Sequence, residues 1–252
     1  MFTSEKYKII ACRVLWREIC FFAAQSRNSF DFCFLEQGLH NTPDLLRAKV
    51  QEAIDLTPGD YSAILLGYGL CSNGIVGVKA RDIPLVIVRG HDCITHLLGS
   101  KEAYREYFDR HPGTYWYSPG WIETGTQPGR ERYEQTLRQY LEKYGQDNAE
   151  YLMEMEQGWF REYNNAAYVD LGVSESAADR SYTQACAEWL KWSYDELRGD
   201  PRLIKKWLEG SRDEKDFLVV EPGQQVAASY DERIIKAVGA APDAENINPG
   251  AQ

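Results

Sequence analysis

An α/β fold built on a Rossmann-like parallel sheet is the class this chain predicts, and three observations predict it. Short apolar runs alternate with helical patterns through the first hundred residues, the signature of strands joined by crossover helices. Two of those runs, Ser62 to Gly67 and Leu85 to Arg89, are almost continuously apolar, as strands covered on both faces are. Residues with chemistry to offer recur just past the ends of the runs, where such sheets bind ligands.

In order, Tyr7 to Leu15 reads as the first strand, Arg17 to Gln25 as a helix and Phe30 to Leu35 as the second strand. Thr42-Pro43 has the residues of an N-cap and first turn, so Pro43 to Leu56 reads as a helix. Ser62 to Gly67 is the third strand. Leu85 to Arg89 is the fourth, with Pro84 just before it, where no ladder donor is needed. His91 to Leu98 then reads as a helix, with Asp92 near its positive end.

The second half changes texture. Thr114 to Tyr117 is a short aromatic strand ending in Ser118-Pro119-Gly120-Trp121, and a long amphipathic stretch runs from Arg130 to about Tyr163. Its aromatics Tyr140, Tyr144, Tyr151, Trp159 and Phe160 are expected in the core or between lobes. Ala167 to Leu171 reads as a strand, Ser176 to Leu197 and Arg202 to Leu208 as helices, and Asp216 to Val220 as a last strand. The organisation expected is an α/β lobe over 1–112, a helix-rich α/β lobe over 113–236 that covers the strand ends, and a flexible tail over 237–252.

A formal net charge of -10 disfavours nucleic acid and acidic membranes as partners and leaves a small molecule or a protein. The apolar segment near the start contains Arg13, so it supplies neither a secretory segment nor a membrane span, and a cytoplasmic location is expected. The six cysteines are then expected to be reduced thiols, not a disulfide framework. There is no phosphate-binding Walker loop, serine nucleophile elbow, His-Glu-x-x-His or dinucleotide fingerprint.

The cysteines and histidines at the strand ends carry what chemistry there is. Cys71 follows the third strand, His91 and Cys93 follow the fourth, and Cys12 and His40 stand at the first and second. Thiolate and neutral imidazole are the donors zinc and iron prefer, and a site needs three or four of them converging. The spacing is not that of a zinc finger. Cys12 and Cys71 as small buried hydrophobes, with His91 capping a helix, is the structural alternative. A third is a single nucleophilic thiol, Cys71 or Cys93, beside His91. The loop from Gly67 through Tyr68 and Gly69 to Gly74 offers backbone N–H groups to an anion, and Arg89, ending a strand, offers its guanidinium. Tyr68, Gly69 and Arg89 are thus the candidates for holding a cofactor or substrate. Cys20, Cys33 and Cys186 read as structural, and Gly113 to Trp121 as either a pocket wall or core packing.

Several stretches together resemble the domain of unknown function 1638 family. They are Ala11-Cys12, Leu39-His40 with Pro43, Leu66 to Gly74, Arg89-Gly90-His91-Asp92-Cys93-Ile94, Leu97-Leu98-Gly99, Gly113-Thr114-Tyr115, Pro119-Gly120-Trp121 and Phe217 to Gly223. Gly90 stands where the family usually has alanine, which leaves the candidate ligands intact. The resemblance implies a metal site of Cys12, Cys71, His91 and Cys93, with His40 or Glu36 as a further ligand or as a partner supporting the ligands from behind; in an enzyme, Glu36 or His40 is expected to move protons. It also implies anaerobic prokaryotes and the neighbourhood of corrinoid-dependent methyltransferases. On that basis a zinc, iron or iron-sulfur enzyme of one-carbon metabolism is expected, with a corrinoid protein or methyltransferase as partner. The rival expectation is an accessory protein that carries metal or corrinoid without turnover.

Overall fold

The computed structural model describes residues 4–240. Strand β1 (Lys6–Cys12) is shorter than the apolar run, because the chain leaves the sheet in a single tight turn, Arg13–Leu15, before helix α1 (Trp16–Ala23). β2 (Ser29–Leu35), α2 (Pro43–Asp55), β3 (Ala63–Gly67) and β4 (Leu85–Val88) follow. β1, β3 and β4 pair in parallel, and β3 and β4 are buried along their whole length, which is why they read as unbroken apolar runs. β2 pairs in parallel with the other side of β1.

α3 (Ile94–Leu98) and α4 (Lys101–Arg110) lead to β5 (Thr114–Tyr117) and α5 (Pro119–Thr124). Ser100 caps α4 by accepting from the Ala103 N–H, and Ser118 caps α5 by accepting from the Trp121 N–H. The long amphipathic stretch is two helices, α6 (Arg130–Tyr144) and α7 (Gln146–Gln157), divided at Gly145, whose φ of 75° ends the first. Of its aromatics Phe160 is buried, whereas Tyr144 and Tyr151 are exposed, against the expectation of a packed group.

β6 (Asn165–Asp170) is followed by α8 (Ala177–Leu190) and β7 (Ser193–Arg198). The helix expected as far as Leu197 therefore stops seven residues early. Lys191 adopts a left-handed conformation, and Ser193 to Arg198 pair in parallel with β6 as an edge strand. Glu196, Leu197 and Arg198, good helix formers, are held extended with Ser193, Tyr194 and Asp195 by pairing with β6, so tertiary context decides the segment. β5, β6 and β7 form a second sheet of three parallel strands, with the fully buried β6 in the centre.

α9 (Arg202–Leu208), β8 (Phe217–Val220), β9 (Gln224–Ala228) and β10 (Ile235–Gly239) complete the chain. β8 joins the first sheet antiparallel to β4, giving the order β2-β1-β3-β4-β8, so this sheet draws on residues from both expected lobes. α9 packs beneath it, and the Trp207 indole N–H donates to the Val86 carbonyl at 3.0 Å. β9 and β10 pair as a hairpin. The tail expected from Ala237 thus begins inside β10, and its residues 241–252 lie outside the described part. The sheet's order reverses at β1, and the crevice between the carboxyl ends of β1 and β3 is where such sheets take their ligands.

Candidate functional site

Two loops beyond that crevice, 67–74 and 89–94, are tied side by side. The Leu70 N–H donates to the Gly90 carbonyl and the Cys71 N–H to the His91 carbonyl, both at 2.8 Å. Gly69 makes the approach feasible. A Cβ there would lie 2.7 Å from the Asp92 nitrogen and 2.8 Å from the Gly90 oxygen, both main-chain atoms. Asp92 fixes the second loop by accepting from the Ile94 N–H at 2.9 Å and from the Tyr104 hydroxyl at 2.8 Å. It stands just before α3, near the helix's positive end as the sequence suggested, while the N-cap residue itself is Cys93.

Cys71, Ser72 and Asn73 have φ of 47°, 55° and 66°, three consecutive non-glycine residues in the left-handed region. Each costs about 1 kcal/mol or more, a strain that persists where the surroundings fix it and that clusters at functional sites. The Gly74 N–H closes the turn on the Cys71 carbonyl at 2.9 Å. Cys71 is thereby held at the lip of the sheet, with Cys12 ending β1 on one side and Cys93 beyond β4 on the other.

All three thiols and His91 line one cavity of about 480 Å³. No disulfide joins them. Burial pushes the Cys12, Cys71 and Cys93 thiols up, and the Asp92 carboxylate and the neighbouring thiols push Cys71 and Cys93 further. Tyr68, 3 % exposed, lines the same cavity, and its hydroxyl has no hydrogen-bond partner among the described residues. The wall opposite is aromatic, formed by Tyr115 and Trp116 of β5, Trp121 of α5, and Tyr163. Glu36 and His40 complete the lining between β2 and α2; the His40 ring stacks on Trp121 with centroids 5.6 Å apart, and burial pushes its imidazole pKa down.

The donor types on the thiol wall fit a thiophilic ion, and the orphaned Tyr68 hydroxyl beside them is a polar atom awaiting an acceptor. Among the described residues, however, no three His, Cys, Asp or Glu side chains are grouped closely enough, as placed, to hold an ion between them.

Seven of the nine residues expected to matter thus meet in one cavity: Cys12, Cys71, His91, Cys93, Tyr68, Glu36 and His40. Two do not. Gly69 serves the packing of the loops. Arg89 is turned away from the cavity, buried, and donates only to main-chain carbonyls: Glu214 at 2.9 Å, Phe217 and Arg233 at 3.1 Å, and Ile235. An arginine ending a strand is as able to clamp the next strand as to face the crevice, and here it clamps β8 and β10.

Sequence reasoning did not single out Tyr163 and gave Asp92 only a place near a helix end. It did not single out Glu18, which lies fully buried in α1 with neither carboxylate oxygen hydrogen-bonded among the described residues and its pKa pushed up to about 7, chiefly by burial. Nothing in the local sequence separates it from an ordinary acidic residue in a first helical turn.

Among the described residues no helix is long and apolar enough to cross a membrane. Neither the curated proteins nor the solved structures give a match to this chain. The family described as "Protein of unknown function (DUF1638)" matches residues 34–208, more than half of the chain and a span that holds Glu36, His40, Tyr68, Cys71, His91 and Cys93; the chain belongs to that family.

Proposed function

We propose that the protein is a metal-dependent enzyme acting on a small molecule in the cavity between its two larger sheets. The observation that carries this reading is three thiols, delivered from the ends of three adjacent strands to one cavity wall, beside a buried hydroxyl with nothing to bond. Cys12, Cys71, His91 and Cys93 are the proposed ligands of zinc, iron or an iron-sulfur cluster. A bound ion would supply Lewis acidity or redox chemistry at a position left open to substrate.

The chain's own residues do the rest. The lowered pKa of His40 keeps its imidazole neutral, the form that accepts a proton. Glu36, more exposed, can pass that proton to solvent. The tied loops fix Cys71 and His91 relative to each other. The association carried by the resemblance adds one-carbon metabolism, a corrinoid protein or methyltransferase partner, and the cytoplasm of an anaerobe to the proposal.

A second reading, a metal-free thiol nucleophile, is favoured by the strained left-handed turn at Cys71. It is opposed by the environment, because burial and Asp92 keep the Cys71 thiol protonated where a nucleophile needs its thiolate. Metal analysis of anaerobically purified protein separates the readings. Near-stoichiometric zinc or iron, lost on combining Cys71→Ala with Cys93→Ala, is the expected result. Metal-free protein with one fast-reacting thiol would replace the metal reading by the nucleophile; metal held without turnover would make the protein a carrier.

A further inference from the structure

We infer that this cavity binds a small organic cation, an alkylated ammonium or sulfonium ion, against its aromatic wall. This deepens the proposed function: it rests on the reading of the cavity as a substrate site, though not on the presence of the ion.

Charge is the first observation. Two carboxylates, Glu36 and Asp92, line the cavity, and among the described residues no lysine or arginine does. Arg13 lines a neighbouring cleft, which Glu36 shares. The cavity's own side chains therefore offer an anionic ligand no counterion, whereas a cation meets the exposed Glu36 carboxylate, Asp92 being engaged by the Ile94 N–H and the Tyr104 hydroxyl.

The second observation is the wall itself. Tyr115, Trp116, Trp121 and Tyr163 all line this cavity, Tyr115 and Trp116 from opposite faces of β5, and a ring that turns its electron-rich face inward attracts a cation. The wall is formed in advance of any ligand. The Trp121 indole N–H donates to the Tyr115 hydroxyl at 3.4 Å, and that hydroxyl donates to the Gln127 side-chain oxygen at 3.3 Å. Trp116 is stacked on Tyr104 from behind, with centroids 6.0 Å apart.

The third is what the wall lacks. A bare ammonium brings three N–H donors that each need an acceptor, and the rings of this wall supply none, the carboxylate of Glu36 lying outside it. An alkylated onium ion brings none. A cavity of about 480 Å³ suits a molecule of that size.

The test is a tryptophan-fluorescence titration of the full chain as purified, with its metal content measured on the same samples. The probes are choline, its uncharged isostere with carbon in place of nitrogen, and the anionic isostere tert-butylacetate. Choline should saturate, the uncharged isostere should bind about tenfold more weakly, and tert-butylacetate should not bind. Trp116→Leu should weaken choline about tenfold and the more exposed Glu36→Gln about threefold, the latter without risk to the fold. Equal binding of choline and the uncharged isostere, tighter binding of tert-butylacetate, or no saturable response to choline would each overturn the inference. Choline preference in metal-free protein would defeat the metal reading alone, and bound metal without choline preference would defeat this inference alone.

Discussion

Tyr68 is the residue at which the metal reading is most exposed to test. A buried hydroxyl without a partner costs free energy, so in metal-free protein Tyr68→Phe should leave stability unchanged or slightly raised. If the hydroxyl instead supports a thiolate ligand, the same substitution should weaken metal retention by about tenfold, read by competition with a chelator. Unchanged retention would remove Tyr68 from the site. Glu18 carries a different prediction. Its carboxyl, ordinarily near 4.5, titrates at about 7 because burial, together with Asp170 and Glu123, outweighs the pull of Arg17. The folded state therefore holds this proton more tightly than the unfolded chain does. The group's contribution to stability is full below pH 4.5 and is lost as pH rises through 7, a loss of roughly 3 kcal/mol. Glu18→Gln should match wild type near pH 5 and melt roughly 5–10 °C higher at pH 8. Equal melting temperatures at pH 8 would refute it. The gathering of Cys12, Cys71, His91 and Cys93 was legible because strand ends in a parallel sheet share one edge; the direction of Arg89 and the burial of Glu18 were not, since both depend on neighbours more than a hundred residues away.

The paired loops after β3 and β4 are the element on which the site depends. Gly69→Ala places a methyl group against the main chain of Gly90 and Asp92, which cannot give way as a flexible side chain could. The expected cost is about 2 kcal/mol or more in urea unfolding, with impaired metal retention as the loops separate. A loss below about 0.5 kcal/mol would mean that the loops are not held as described. The central strands were plain in the sequence because burial on both faces leaves an unbroken apolar run. β7 was not, because Ser193 to Arg198 form a polar edge strand whose residues suit a helix equally well. β10 escaped notice for a related reason: five residues ending in glycine are a strand only through their pairing with β9.

At the scale of the whole molecule, a mostly parallel sheet and a wholly parallel one meet across one cavity, with soft donors on the wall supplied by the first and aromatic residues on the wall supplied largely by β5 and α5. Sequence alone reaches the first wall, since its residues sit at predictable strand ends. The second depends on how β5 and α5 are set against the first sheet, which no local pattern encodes; Gly113 to Trp121 fitted a pocket wall and core packing equally. If the thiols of the first wall hold a metal, X-ray absorption at the metal edge of anaerobically purified protein will show a shell of sulfur at about 2.3 Å that diminishes in Cys71→Ala; a shell of oxygen and nitrogen alone, or protein free of metal, would refute the metal site.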